Sequence, residues 1–95
     1  MRWAWSDDKN RANRTKHGLS FETAILVFDD PLALSRPDPH PAGDRWQTVG
    51  LIGHVVVFVV HWSPEAHEGD DAIGRIISAR KATSHERRAY EEGEF

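Results

Sequence analysis

Apolar residues recur with a helical period early in the chain and with a strand pattern in its second half. After Ser20, a good helix N-cap, apolar side chains fall at i, i+3, i+4 and i+7, which predicts one core-facing stripe. The stripe consists of Phe21, Ala24, Ile25 and Phe28. The segment 29–31, Asp-Asp-Pro, ends this helix. An earlier helix begins after Ser6 and ends at His17, with Gly18 placed for a left-handed C-terminal cap.

Strand patterns dominate from about residue 32 onward. Residues 45–52 form a predicted strand, and the two-residue turn 53–54 joins it to 55–60, which is apolar throughout and rich in valine. Such a run is typical of a central strand covered on both faces. The last predicted strand spans residues 73–79. Thr83 and Glu86 have the spacing of a capping box, which predicts a final helix from there to about residue 91. The other segments are short strands at 2–5 and 32–35, a proline-rich loop at 36–44 and an acidic loop at 63–72.

This order of elements predicts a single α+β domain over residues 1–95. We expect a small antiparallel sheet with two N-terminal helices and one C-terminal helix. With so few helices, we expect them on one side of the sheet. The other face of the sheet would then be partly open, and a polymeric ligand or a partner protein would bind there.

Composition supports a folded protein and excludes some chemistry. The chain has 95 residues, of which 39% are hydrophobic, with four Trp and four Phe. Cysteine is absent, so disulfides and thiolate metal sites are excluded. The first residues lack the apolar run of a signal peptide, and residues 55–60 are too few to span a bilayer. We therefore expect a cytoplasmic protein with no membrane partner.

Positive charge is concentrated in two blocks, although the formal net charge is −3. Residues 1–20 contain five Lys and Arg against two Asp, and residues 75–90 contain five against one Glu. The stretch 21–74 between them contains two basic and nine acidic residues. We expect the two blocks to lie on one continuous face that binds phosphate, with Lys16 and Arg80 on the same side of the domain.

Several short motifs, in order along most of the chain, resemble the BrnT toxin family. The most specific combination is Lys-His-Gly at 16–18, Phe-Asp-Asp-Pro at 28–31 and Ile-Ser-Ala-Arg at 77–80. The other matching positions are Lys9, Asn10, Ser20, Phe21, Ala24, Val27, Arg45, Gly50, Arg75, Ile76, Lys81, Ala82, Glu86 and Tyr90. The loop at 63–72 is longer than the family pattern leads us to expect.

The resemblance implies a RelE-like fold and a toxin that cleaves RNA. It also implies a small DNA-binding antitoxin, BrnA, with which the toxin represses its own operon. Dimerisation of that antitoxin would give a heterotetramer of two toxins and two antitoxins. The rival interpretation is a non-catalytic RNA- or protein-binding module that serves mainly as antitoxin partner and co-repressor.

Metal-independent cleavage of RNA requires a base for the ribose 2′-OH, cations for the phosphate and an acid for the leaving oxygen. The candidate catalytic residues are His61, Arg45 and Arg80. The candidate RNA-binding residues are Lys16, His17, Arg75 and Lys81. Because Arg75 and Arg80 are five residues apart on a strand, we expect them to point to opposite faces, with Arg80 on the scissile phosphate.

Structural roles remain open for several of these residues. The position of His61 is compatible with a core histidine whose hydrogen bonds are satisfied and equally with an acid or base group. His17 lies at a helix C-terminus, which favours it there whether its role is structural or catalytic. Glu86 fits half of a capping box, and Tyr90 fits a residue packed on the sheet. No metal-ligand spacing is present, so neither a metal nor another cofactor is expected. Trp46 and Trp62, on or beside strands, are candidates for a surface that a partner covers, or for core residues.

Overall fold

The computed structural model describes residues 2–41, 43–62 and 73–95. The predicted loop at 63–72 lies outside these residues. The strands are β1 (Arg2–Ala4), β2 (Leu34–Pro37), β3 (Arg45–Ile52), β4 (Val55–Trp62) and β5 (Ile73–Lys81). The helices are α1 (Asp7–His17), α2 (Phe21–Ala24), which continues as a 3₁₀ helix (Ile25–Asp29), and α3 (Ser84–Glu92).

The strands form one mostly antiparallel sheet in the order β1-β5-β4-β3-β2. Only the pairing of β1 with β5 is parallel. The apolar strand β4 lies at the centre, as its sequence predicts. Gly53, with a φ of 61°, occupies the first position of the predicted two-residue turn between β3 and β4. The predicted α+β fold is therefore confirmed.

The first two helices begin at the predicted caps. The side chains of Ser6 and Ser20 accept hydrogen bonds from backbone N–H groups in the first turns of α1 and α2. The predicted core stripe changes in its second half, because the helix tightens to 3₁₀ after Ala24. A period of three residues then buries Val27 fully beside Phe21 and Ala24. The buried residue is thus Val27, while Ile25 and Phe28 are only partly buried.

Gly50 allows this part of the chain to lie close to the sheet. A Cβ at position 50 would lie 2.9 Å from both the Cβ and the carbonyl oxygen of Val27. Since one of these atoms belongs to the backbone, a side chain there would force the 3₁₀ helix away from β3. Gly50 therefore sets the distance between the helical layer and the sheet.

Helices cover both faces of the sheet, so the expectation that all of them lie on one side was wrong. The α1 face of the sheet packs against α1, α2 and the 3₁₀ helix through Val57, Val59 and Ile76. The α3 face packs against α3 through Val56 and Phe58. Alternate residues of β4 face the two layers, which is why residues 55–60 are apolar without interruption.

The final helix is held by the predicted capping box. Thr83 accepts a hydrogen bond from the backbone N–H of Glu86, and the Glu86 carboxylate accepts one from that of Thr83. The loop predicted for 36–44 begins two residues too early, because Arg36 and Pro37 belong to β2. Proline is tolerated there, since β2 is an edge strand.

Candidate functional site

A β-bulge places Arg75 and Arg80 on the same face of the sheet. Trp62 pairs with Arg75 and Phe58 pairs with Arg80, while the register between β4 and β5 shifts beside His61. The extra residue is Ile77, which reverses the alternation of side chains along β5. The expectation that the two arginines point to opposite faces was therefore wrong. Both lie on the α3 face.

The neighbouring strands add two further arginines to this face. Arg45 on β3 pairs with Trp62, and Arg36 on β2 pairs with Gln47. We call this set the arginine face; its residues are Arg36, Arg45, Arg75 and Arg80 on the α3 side of the sheet. The helix α3 covers Val56 and Phe58 but not the row formed by Arg45, Trp62 and Arg75. In the part of the chain that the structure describes, no helix covers this end of the sheet face, which agrees with the expectation of a partly open face.

Arg80 is held at the border of this open region by α3. Its guanidinium donates to both carboxylate oxygens of Glu86, at 2.7 and 3.0 Å, and lies 4.2 Å from the centre of the Phe58 ring. These hydrogen bonds raise the pKa of Arg80. Burial opposes ionisation of Glu86, but the bonds from Arg80 and Thr83 outweigh it and lower the pKa of Glu86. The pair therefore stays charged, and the planar fork of Arg80 is occupied.

Arg45 and Arg75 differ from Arg80 because neither guanidinium has a carboxylate partner among the described residues. Arg75 is exposed, and among the described residues it pairs only through its backbone, with Trp62 of β4 and Ala4 of β1. The Nε atom of Arg45 is buried without a hydrogen-bond partner in the described chain. An unpaired buried donor is costly, and no described residue offsets that cost at Arg45. These two arginines are better placed than Arg80 to bind a phosphate.

Arg36 lies at the far side of the arginine face, against aromatic side chains. Its guanidinium is 4.0 Å from the centre of the Phe95 ring, and its Nε donates to Gln47 at 2.7 Å. Phe95 in turn meets the edge of Phe58. Sequence reasoning missed Arg36 because the prolines after it suggested a loop. The pairing of β2 with β3 places it on this face.

A second polar contact, between Tyr90 and Asp30, holds α3 on the sheet. The Tyr90 hydroxyl donates to Asp30, whose carboxylate also accepts from the backbone N–H groups of Leu32 and Leu51. These contacts outweigh desolvation and lower the pKa of Asp30, while the bond to Asp30 raises the pKa of Tyr90 to about 12. Tyr90 is therefore packed on the sheet as predicted, and it stays protonated at neutral pH.

His61 lies in the core of the α1 face and not with the arginines. It is 3% exposed, and its ring meets Trp3 and Phe28 edge-on at centroid distances of 5.2 and 5.0 Å. Its Nε2 lies 2.7 Å from the Thr48 hydroxyl. Burial lowers the pKa of His61 to about 4. This placement fits the core interpretation, because the sheet separates the imidazole from the arginine face. The hydrogen bonding is incomplete, since the buried Nδ1 has no partner among the described residues.

The remaining predicted residues lie on the α1 side of the sheet. His17 and Lys81 line a pocket of about 200 Å³ whose other walls are mostly apolar, and Lys16 is exposed in the last turn of α1. The expectation of one continuous basic face was wrong, since α1 packs on one face of the sheet and the Arg80 side chain extends over the other. Lys81 and Arg80 are neighbours on β5, and the side chains of neighbouring strand residues point to opposite faces of the sheet. The two charges therefore lie on different sides of the domain.

The described part of the chain contains no group of three His, Asp or Glu side chains that could hold a metal ion. None of the helices in that part is both long enough and apolar enough to cross a membrane.

An α+β domain with several arginines and an exposed tryptophan on an open sheet face has the features of a nucleic-acid-binding protein. Comparison with protein families gives the particular class. Residues 5–86 match the family described as the ribonuclease toxin BrnT of type II toxin–antitoxin systems. The chain therefore belongs to the BrnT family, as the motifs suggested. No curated protein matches the chain.

Membership of this family defines the activity at a coarse level. The chain is a ribonuclease toxin, and the class of enzyme is endoribonuclease. A ribonuclease toxin has RNA as its substrate, and a toxin of a type II system has a cognate antitoxin as its partner.

Proposed function

We propose that the open part of the arginine face binds the RNA backbone and that the chain cleaves RNA by attack of the ribose 2′-OH, without a metal ion. The row Arg45–Trp62–Arg75 carries this proposal, because it presents, beside an exposed aromatic ring, two guanidiniums that have no carboxylate partner within the described ranges 2–41, 43–62 and 73–95. Arginine binds phosphate through parallel hydrogen bonds and stays charged throughout the reaction. Arg45 and Arg75 would each hold a phosphate of the strand, and the guanidinium beside the cleaved phosphate would stabilise the charge that grows on it.

The proton-transfer groups of the proposed reaction must lie on the same face as the phosphate. His61 does not, so we assign no catalytic role to it. Glu86 is the nearest carboxylate to Arg80, with a side chain 12% exposed. In our proposal, Glu86 accepts the proton of the 2′-OH once RNA draws Arg80 onto the phosphate. The 2′-oxygen then bonds to phosphorus as the bond to the 5′-oxygen breaks, and the leaving 5′-oxygen takes a proton from solvent water. Arg80 thus keeps the phosphate-binding role predicted from the sequence, because its guanidinium leaves the carboxylate of Glu86 and binds the phosphate instead.

A matched pair of variants tests Glu86. Glu86→Gln should retain RNA binding but lose most cleavage, since the amide cannot accept the proton. Thr83→Ala removes the other half of the capping box while the carboxylate stays in place. If both variants, compared well below their unfolding temperatures, lose activity equally, Glu86 acts only through the fold of α3.

The reaction itself is tested with purified protein, defined single-stranded RNA and EDTA. We expect cleavage in EDTA and a product that ends in a 2′,3′-cyclic phosphate. Arg45→Gln and Arg75→Gln should reduce it strongly, while Lys16→Gln, on the other side of the sheet, serves as the control. A 3′-hydroxyl product, or activity lost in EDTA and restored by magnesium, would contradict the mechanism. Binding without cleavage would favour the rival function of a co-repressor module.

The antitoxin in this proposal is BrnA-like, binds DNA and uses acidic residues to compete with RNA for the arginine face. Trp62, with 48% of its surface exposed, is the apolar contact that such a partner would cover. A dimeric antitoxin would then assemble two toxins and two antitoxins. Mass measurement of the co-expressed pair tests this arrangement. A one-to-one complex would contradict it.

A further inference from the structure

We propose that Trp62 is the platform on which an unpaired base of the RNA stacks, which makes single-stranded RNA the substrate class. This inference rests on the proposed function, because it assigns the same open row of the sheet to the substrate. It adds a base contact to the phosphate contacts of Arg45 and Arg75.

The position of Trp62 in the sheet supports this role. Trp62 pairs with Arg45 on one side and with Arg75 on the other, so the three residues form one row across β3, β4 and β5. Neighbouring strands are about 5 Å apart, so the Cα atoms of the two arginines are about 10 Å apart with Trp62 between them. A base stacked on the indole would have an arginine on each side for the phosphates that flank it.

The other tryptophans of the chain have different surroundings. Trp3 stacks on Phe28 at 4.0 Å, and Trp5 meets the edge of Phe21. Both belong to the core of the α1 face. Trp46 pairs with His61, which places it on that same side of the sheet. Trp62 is the tryptophan that the fold leaves exposed on the arginine face, at the end of a strand that is otherwise largely buried.

Stacking on Trp62 explains a preference for single strands better than charge alone. Phosphates are present in duplexes and single strands alike, whereas only an unpaired base can turn its flat surface to an indole. Every base has such a surface, so this contact selects unpaired RNA without selecting a sequence. The arginines would supply salt-dependent affinity, and Trp62 would supply the requirement for an exposed base.

The test separates the base from the phosphates. Fully 2′-O-methylated oligonucleotides, which cannot be cleaved by 2′-OH attack, are compared with the same backbone carrying abasic sites. We expect the intact chain to bind the base-containing oligonucleotide roughly 5- to 100-fold more tightly. Trp62→Ala should abolish this preference with little change in the salt dependence, and Trp62→Phe should restore most of it. Leu32→Ala, which changes an exposed apolar residue elsewhere, is the control.

Each outcome decides the inference. A base preference that survives in Trp62→Ala, or its absence in the intact chain, would overturn the stacking role. Equal affinity for a duplex of the same sequence would also overturn it. If Trp62→Ala impairs only capture of the antitoxin, the residue is a protein contact. If the stacking result holds but unmodified RNA is not cleaved, the proposed chemistry fails while the base contact stands.

Discussion

At the scale of single residues, burial decides which candidates can take part in chemistry. His61 and Arg75 are both candidates by residue type, yet one lies in the core and the other is exposed. The pairing of Thr48 with His61 provides the imidazole with a polar partner inside an apolar layer. His61 thus contributes to stability at neutral pH, and this contribution depends on pH.

The stability of the domain should fall as the pH drops from 6.5 toward 4. Burial lowers the pKa of His61 from 6.5 to about 4, so within this window the unfolded chain binds a proton that the folded chain excludes. The contribution is complete above pH 6.5 and amounts to about 3 kcal/mol at most. Urea unfolding between pH 4 and 7.5 should show a smaller slope for His61→Gln, whereas His85→Gln, at an exposed position, should match the parent. Equal slopes for all three would refute this assignment.

Loss of Arg75 should lower RNA affinity without destabilising the fold, whereas loss of Arg80 should lower the free energy of unfolding. Arg75→Gln should change the free energy of unfolding by less than about 0.5 kcal/mol, because no described residue bonds its side chain. Arg80→Gln should cost about 1 to 3 kcal/mol, since it leaves the largely buried carboxylate of Glu86 without its partner. RNA affinity should drop for Arg75→Gln even where its thermal unfolding is unchanged. If instead Arg75→Gln were the destabilising change, the placement of these side chains would be wrong.

At the scale of elements, sequence patterns located the helices and strands but not every face they present. The valine-rich strand β4, the caps of α1 and α2 and the capping box of α3 follow from local chemistry. The bulge at Ile77 does not, because one extra residue in a pairing is defined by the partner strand. That single residue decides which arginines share a face. Local sequence patterns likewise do not indicate which face of the sheet α3 covers.

The capping box should carry much of the local stability of α3. Thr83→Ala should cost about 1 kcal/mol, because the backbone N–H of Glu86 loses its acceptor at the start of the helix. Thr83→Ser, which keeps the hydroxyl, should cost much less. Ser84→Ala, at the next position, provides the control for the loss of a hydroxyl outside the cap. Urea midpoints compare the four proteins, and similar midpoints for Thr83→Ala and Ser84→Ala would argue against the cap.

At the scale of the whole molecule, the two basic blocks meet without forming one surface. The helix α1 packs against β5, where Asn13 holds the backbone of Ala79 through two hydrogen bonds. The sheet lies between the side chains, so the lysines of one block and the arginines of the other act on different surfaces. An overall charge of −3 therefore gives little indication of how this chain binds RNA, and the arginine face is a local feature.

This separation predicts how single charge removals change the salt dependence of RNA binding. Each phosphate contact with a single strand contributes about −0.7 to the slope of log affinity against log salt concentration. Arg75→Gln should make the slope shallower by about that amount, because Arg75 belongs to the open part of the arginine face. Lys16→Gln removes the same charge from the last turn of α1 and should leave the slope almost unchanged. Titrations with uncleavable RNA at several salt concentrations distinguish the two. Equal changes would mean that RNA contacts both sides of the domain, and a slope affected only by Lys16 would place the RNA on the α1 side.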